Sequence, residues 1–89
     1  MDIDELDLKI LKAIYVKSNQ DYIQPKLLIK EVGITEQRLG DKLDILEKNY
    51  FVKNEWGSGS SQTLQNGIYN VKLTSEGREL LRKHKKIPK

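Results

Sequence analysis

Two adjacent hydrogen-bonding side chains, Gln37 and Arg38, have the chemistry needed to read nucleic-acid bases. The amide of a glutamine can pair through two hydrogen bonds with adenine, and the guanidinium of an arginine can do the same with guanine. They belong to a group of polar residues that share the side of a helix opposite its apolar stripe: Glu36, Gln37, Arg38, Asp41, Lys42 and Asp44. This arrangement leaves a polar face free to contact a partner.

The segment 34–52 has the pattern of a capped amphipathic helix that leads directly into a β-strand. Apolar residues recur at helical offsets and define one face: Leu39, Leu43, Leu46 and Tyr50. Thr35 is a good N-cap, because its hydroxyl can accept a hydrogen bond from a free N–H of the first turn. Gly33 suits a left-handed turn that closes a preceding helix. A helix, a tight turn and a second helix are therefore predicted within 27–46.

The size and composition of the chain limit the classes of function that it can have. Its 89 residues are 37% hydrophobic and 33% charged, which is typical of one globular domain with a modest core. The absence of cysteine excludes disulfides and thiolate metal sites, and a single histidine argues against an imidazole site. We therefore expect neither a metal nor a cofactor. The acidic start and the lack of a long apolar run predict a cytoplasmic protein.

The positive charge is concentrated in the C-terminal part of the chain. Residues 1–50 contain 8 Lys and Arg against 10 Asp and Glu, whereas residues 51–89 contain 8 against 3, so their net charges are −2 and +5. These values give the overall charge of +3. A basic balance of this kind favours polyanionic partners, because lysine and arginine neutralise phosphates and release counterions.

Periodicity, capping and turn signals predict six elements in a single domain that spans 1–89. The predicted helices lie at about 4–17, 25–32, 35–49 and 75–86, and the predicted strands at about 51–56 and 67–73. Asp4 or Asp2 is expected to cap the first helix and Thr74 the last. The small and polar residues of 57–67 indicate a long hairpin loop, and Tyr22 and Ile23 a short extended piece.

Local details of these elements provide further expectations. In the second strand, period-two alternation places Tyr69, Val71 and Leu73 on one face and Ile68, Asn70 and Lys72 on the other. Gly77 lies inside the last helix, where glycine costs about 1 kcal/mol relative to alanine, so we expect another backbone to pass close to it. The end of the chain, 85–89, is expected to fray.

The order of three helices, a strand, a polar loop, a strand and a closing helix resembles a winged-helix domain. The motif Leu28-x-x-x-Val32-Gly33-Ile34-Thr35, followed by Leu39-x-x-x-Leu43-x-x-Leu46-Glu47-Lys48-Asn49-Tyr50-Phe51-Val52, is similar to helix two, the turn and helix three of small regulators of this class. Leu73-Thr74-x-x-Gly77-x-x-Leu80-Leu81 resembles the segment in which MarR-like and PadR-like regulators leave the wing. The resemblance implies a mainly helical α+β fold: a three-helix bundle with a helix-turn-helix, a two-stranded β-hairpin wing and a C-terminal helix.

The resemblance is incomplete at the end of the third helix. Tyr50 stands where these families usually have a glycine that ends the recognition helix. Asparagine is prominent among the non-glycine residues that adopt the left-handed conformation. We therefore expect Asn49 to take that conformation instead.

The resemblance also implies sequence-specific binding of double-stranded DNA by a transcriptional regulator whose helix 35–49 enters the major groove. The base-reading candidates that follow are Thr35, Glu36, Gln37, Arg38, Asp41 and Lys42. The candidates for phosphate or wing contacts are Lys26, Lys30, Lys53, Ser60, Gln62 and Lys72.

Other interpretations remain open on the sequence alone. The polar face can be an ordinary solvated surface, because 35–48 has a net charge of −1 and the loop 57–67 contains no lysine or arginine. In a protein-interaction module without DNA binding of its own, the anchors would be Trp56, Leu64 and Ile68. A homodimer through the first and last helices would use Leu6, Leu11, Tyr15, Leu81 and Ile87.

An enzyme is the interpretation that the sequence favours least. Asp41 and Asp44 are spaced as a carboxylate pair, but on a helix of mixed charge such pairs are nearly always solvated. The only histidine, His84, lies in a basic tail, so no Ser, His and Asp set can be proposed.

Overall fold

A computed structural model gives the fold of the chain and describes residues 2–57 and 63–88. Within these residues the protein has four helices and one two-stranded antiparallel hairpin, so the prediction of a mainly helical α+β fold is confirmed. The elements in chain order are α1 (Glu5–Ser18), α2 (Lys26–Val32), α3 (Glu36–Lys48), β1 (Val52–Trp56), β2 (Ile68–Leu73) and α4 (Ser75–Lys83).

The predicted N-caps of three helices are confirmed. Asp4 and Asp7 form a reciprocal capping box at the start of α1, with bonds of 2.8 and 3.1 Å. The hydroxyl of Thr35 accepts the N–H of Arg38 at 3.2 Å, and that of Thr74 accepts an N–H in the first turn of α4. Each cap satisfies an N–H that has no partner within its own helix.

Left-handed residues were expected at Gly33, before α3, and at Asn49, after it. Gly33 is left-handed, with φ of 78°, as expected. At the other end Asn49 has φ of −103°, and the left-handed residue is Tyr50, with φ of 67°, so the expectation for Asn49 is wrong.

Hydrogen bonds explain why the left-handed position falls one residue later. The N–H of Tyr50 donates to the carbonyl of Glu47 at 2.9 Å, and that of Phe51 to the carbonyl of Leu46 at 3.0 Å. These two bonds satisfy carbonyls in the last turn of α3. They form only when the residue before Phe51, which is Tyr50, is left-handed. The Asn49 side chain donates to the Ile45 carbonyl at 2.9 Å. Tyr50 consequently leaves the apolar stripe and is 75% exposed.

The C-terminal segment is ordered by similar bonds. Helix α4 ends at Lys83, three residues before the predicted end, and Lys85 is left-handed with φ of 58°. The N–H of Lys86 donates to the carbonyl of Leu81 at 2.8 Å, which turns the chain back. Ile87 is then buried in the core, so the expectation of a frayed end is wrong for this residue.

The hairpin contains an irregularity that changes which side chains face the core. Five pairs of residues lie opposite each other: Val52 and Leu73, Lys53 and Lys72, Asn54 and Val71, Glu55 and Asn70, and Trp56 and Ile68. The register shifts between Glu55 and Trp56. As a result Ile68 is fully buried and Tyr69 is 36% exposed, so Ile68 and not Tyr69 shares the buried face of Val71 and Leu73. The predicted alternation is wrong for these two residues. A local bulge flips side chains in this way.

The extended piece predicted before α2 is confirmed for Ile23. Its N–H donates to the carbonyl of Val71 at 2.8 Å, and the Val71 N–H donates back at 2.9 Å. This residue therefore continues the hairpin on the free side of β2.

The core is built around α1, which packs against α2, α4 and β2, while β1 packs against α3. Its fully buried large side chains are Ile10, Leu11, Ile14, Leu28, Leu39, Leu43, Leu46, Ile68, Val71 and Leu81. A Cβ at Gly77 would overlap the carbonyl oxygen of Phe51 and lie 2.7 Å from Cδ1 of Leu73. The expected close approach of a second backbone to Gly77 is thus confirmed.

Candidate nucleic-acid interface

Three of the six predicted base-reading residues project from α3 into solvent. Gln37, Arg38 and Asp41 are exposed. Within the described part of the chain, none of their side chains makes a hydrogen bond or ion pair with another residue. Their polar groups are therefore available to an external partner.

The side chains of Thr35 and Glu36 make hydrogen bonds to other parts of the chain. The Thr35 hydroxyl accepts the N–H of Arg38 as the N-cap of α3. One carboxylate oxygen of Glu36 accepts the backbone N–H of Gln65 at 2.9 Å, and the other lies 3.7 Å from the Lys26 ammonium. Glu36 therefore fixes the returning arm of the hairpin loop to the start of α3.

Lys42 is also engaged within the fold, in an ion pair with the start of α1. Its ammonium lies 2.9 Å from the carboxylate of Asp4 and 3.1 Å from that of Asp7. The Asp7 side chain is only 1% exposed and that of Lys42 only 19%. Such contacts hold α1 and α3 together and leave Lys42 poorly placed to read bases.

The same contacts shift the ionisation of these groups. The pKa of Asp4 falls to about 2, chiefly because its carboxylate accepts the backbone N–H of Asp7, and also because Lys42 is close. The pKa of Lys42 is raised above its ordinary value, mainly by its hydrogen bond with Asp4. Both shifts favour the charged forms that make the ion pair.

A second carboxylate on α3, Glu47, holds the first strand of the hairpin. One of its oxygens accepts the backbone N–H of Asn54 at 2.9 Å, and the other accepts the indole N–H of Trp56 at 3.1 Å. The buried Asn54 side chain also donates to the carbonyl of Leu43 at 3.0 Å. This network could not be predicted from the sequence, because no local pattern connects a helix to particular positions of the next strand.

The helix and the hairpin also meet closely at Gly40. A Cβ at this position would lie 2.8 Å from Nδ2 of Asn66. Leu64, which precedes this contact in the chain, is buried. Together with the bonds of Glu36 and Glu47, this contact fixes the hairpin at both ends of α3.

These contacts change the charge of the exposed face. Glu36 and Glu47 turn their carboxylates toward the hairpin, and Lys42 turns toward α1. The charged residues left on the exposed side of α3 are Arg38, Asp41, Asp44 and Lys48, whose charges cancel. The net charge of −1 counted over 35–48 therefore overstates the repulsion that a phosphate would meet at this face.

The lysines predicted to contact phosphates lie in different settings. Lys53 and Lys72 stand directly opposite each other on the outer face of the hairpin. The Lys72 ammonium lies 5.0 Å from the centre of the Tyr22 ring. Like charges in facing positions destabilise a strand pair, so an anion bound between them would relieve the repulsion.

The remaining candidates for phosphate contacts are less informative. Lys30 is exposed on α2, and Lys26 lies 3.7 Å from Glu36. The predicted wing contacts of Ser60 and Gln62 lie outside the described residues.

Ile45 is an exposed apolar residue on α3 that the sequence analysis did not single out. Its side chain is 45% exposed, whereas the apolar residues of the helix stripe are fully buried. It follows Asp41 by one turn and Arg38 by two, so it lies on the face of the candidate base readers. The signal was present in the sequence, because Ile45 does not share the helical spacing of the apolar stripe.

Burial within the chain limits the residues that a protein-interaction module or a homodimer could use. Leu64 and Ile68 are buried in the core, so they cannot anchor a protein partner, whereas Trp56 is 46% exposed. The proposed dimer contacts also include residues that are buried within the chain itself: Leu11, Leu81 and Ile87. The prediction that these residues face a second copy is therefore wrong.

Comparison of the chain with protein-family models, with curated proteins and with solved structures finds no match. Within 2–57 and 63–88, no group of three or more histidine or carboxylate side chains could hold a metal ion. No helix in the same ranges is long and apolar enough to cross a membrane.

Proposed function

We propose that the chain is a winged-helix domain that binds double-stranded DNA in a sequence-specific manner and regulates transcription. The order of elements supports this fold, with α2, the Gly33 turn and α3 forming a helix-turn-helix and the hairpin forming the wing. The pairing of Ile23 with Val71 supports it further, because it ties the segment before the helix-turn-helix to the wing.

One observation carries the functional proposal. The exposed side of α3 presents free polar groups, and the hairpin beside it is bonded to both ends of this helix. The outer face of the hairpin carries the facing lysines Lys53 and Lys72. A base-reading helix and a phosphate-binding strand pair are therefore held in a fixed relative position before DNA arrives, which lowers the conformational cost of binding.

In this proposal the residues have separate roles. Arg38 reads guanine and Gln37 reads adenine, each through two hydrogen bonds, and Asp41 accepts a bond from the amino group of cytosine. Lys53 and Lys72 contact phosphates and place the helix in the major groove. Glu36, Lys42 and Glu47 position α3 and the hairpin from within the fold.

A fluorescence-anisotropy titration of a labelled random duplex tests this function. Binding should weaken steeply as salt rises, with a log–log slope of about −0.9 for each phosphate contact. Lys53→Gln should make the slope shallower by about one contact, while the matched variant Lys83→Gln, on α4, should leave it unchanged. Absence of binding at tens of micromolar folded protein would contradict the proposal.

A protein-interaction role is the second candidate, and the exposure of aromatic side chains favours it. Trp56 is 46% exposed and Tyr50 is 75% exposed. Aromatic residues are enriched among the residues that dominate protein interfaces. If the duplex titration fails, the surface around Trp56 becomes the first place to test by substitution in a partner search.

A further inference from the structure

Ile45 is an isolated apolar side chain on a polar helix face. Nearly half of it, 45%, is exposed, and the residues around it on this face are Asp41, Asp44 and Lys48. Exposed isoleucine makes no hydrogen bond and adds no charge, so its contribution to any contact is apolar burial. In a complex formed through this face, Ile45 would therefore gain from an apolar group on the partner.

The position of Ile45 along α3 places it in a row with the candidate base readers. It follows Arg38 by seven residues and Asp41 by four, so the three side chains project from the same side of the helix. A rise of about 1.5 Å per residue puts Ile45 about 10.5 Å from Arg38 along the axis.

The major groove of DNA offers one apolar group on the base edges, the 5-methyl group of thymine. We propose that Ile45 reads this methyl group, at a base pair different from the one that Arg38 contacts. The inference rests on the proposed binding of DNA through α3. The other proposed base contacts, those of Gln37, Arg38 and Asp41, are hydrogen bonds, whereas Ile45 would select thymine by apolar contact.

A protein partner explains the surroundings of Ile45 less well. The fully buried centre of a protein interface is depleted of charged residues. Ile45 is instead flanked by Asp41, Asp44 and Lys48, and the last two form an ion pair at 3.4 Å. One apolar group among charges matches a single methyl group on a polar base edge better than it matches an extended apolar surface.

Removal of single methyl groups from the DNA tests the inference. A duplex selected from a random pool by the wild-type protein would be remade with each thymine replaced in turn by uracil, which lacks only the 5-methyl group. For the wild type, one replacement should reduce affinity about fourfold, the ratio expected for burying one methyl group. For Ile45→Ala, the same replacement should have a much smaller effect, and binding to the thymine duplex should already be weaker.

Matched variants and the pattern of outcomes make the test decisive. Ile45→Val should retain part of the methyl effect, and circular dichroism should show that both variants keep the fold. Specific binding that no thymine-to-uracil replacement weakens would overturn the role of Ile45 and leave the proposed function standing. If the thymine-to-uracil replacement weakened the binding of the wild type and of Ile45→Ala by the same factor, the role of Ile45 would also be excluded and the proposed function would remain. Failure of the folded wild-type protein to bind or select any duplex would overturn both.

Discussion

Arg38 and Lys53 are exposed cationic side chains to which the proposal gives different tasks. Arg38→Ala should reduce the preference for a selected duplex over a random one by about 1–3 kcal/mol, because a bidentate contact to one base is lost. Lys53→Ala should weaken binding to both duplexes by a similar factor, because a phosphate contact carries no sequence information. Anisotropy titrations of both duplexes separate these outcomes. Equal, sequence-independent losses from the two variants would contradict the assigned roles.

Tyr50 adopts a backbone conformation that favours glycine. Its φ of 67° lies in the left-handed region, and its side chain is 75% exposed. Tyr50→Gly should therefore raise the free energy of unfolding by about 1 kcal/mol, measured by urea denaturation. The adjacent control, Asn49→Gly, should lower it, because Asn49 has φ of −103° and donates to the Ile45 carbonyl. A loss of stability in Tyr50→Gly would show that its ring makes a contact that outweighs the strain.

Single residues were predictable from the sequence where one local requirement decides their conformation or contacts. Gly33 follows a short helix and had to turn the chain, and Gly77 stands where a helix would otherwise prefer alanine. The choice between Asn49 and Tyr50 depended on which carbonyls needed partners at the end of α3. Intrinsic preference for the left-handed region favoured asparagine, and the hydrogen bonds of the whole turn outweighed that preference.

The packing of α4 against the turn after α3 depends on the absence of a side chain at Gly77. Gly77→Ala should reduce the free energy of unfolding by about 1–3 kcal/mol, because the new methyl group would overlap the Phe51 carbonyl. That carbonyl also accepts the N–H of Thr74 at 3.2 Å, so it cannot move freely. Urea denaturation measures the change.

Gly40 provides a matched control on α3. A Cβ there would meet the side chain of Asn66, which can rotate away, whereas the obstacle at Gly77 is backbone. Alanine also has the better helix propensity, by about 1 kcal/mol. Gly40→Ala should therefore cost less than Gly77→Ala, and an equal or larger loss would contradict this account of the two contacts.

The junction of α1 and α3 should be sensitive to acid. The pKa of Asp4 is lowered from 3.8 to about 2 in the folded protein, so its charge contributes stability that is fully present above about pH 4. That contribution should fall progressively as pH drops below about 4 and through 2. Asp4→Asn keeps an N-capping side chain but removes the charge. The melting temperature of the wild type should exceed that of Asp4→Asn at pH 6, and the difference should shrink as pH falls toward 2, where about half of the Asp4 side chains are protonated in the folded protein. A difference that stays the same between pH 6 and pH 2 would exclude this role for the Asp4 carboxylate.

At the scale of the whole molecule, the sequence predicted the order of the elements better than the contacts between them. Caps, helical spacing and strand alternation depend on neighbours in the chain, so six elements were placed within three residues of their observed ends. The contacts that join the elements depend on distant residues. Lys42 and Asp4 are 38 residues apart, and nothing in their local sequences marks them as partners.

The candidate site was predictable to a similar extent. The polar face of α3 followed from periodicity, and Lys53 and Lys72 were expected on the two strands of the hairpin. That these two lysines face each other is known only from the register of the structure. The sequence could not tell which members of that face are used internally, as Glu36 and Lys42 are. Those assignments required the three-dimensional positions of the hairpin and α1.

We propose that the exposed side of α3 and the outer face of the hairpin form one DNA-binding surface. Titration of a duplex into ¹⁵N-labelled protein, followed by two-dimensional NMR, tests it directly. The largest shifts should occur at Gln37, Arg38, Asp41, Lys53 and Lys72, with little change at Lys9 and Val16 on the exposed side of α1. Shifts confined to α1 and α4, or no shifts while the protein remains folded, would contradict it.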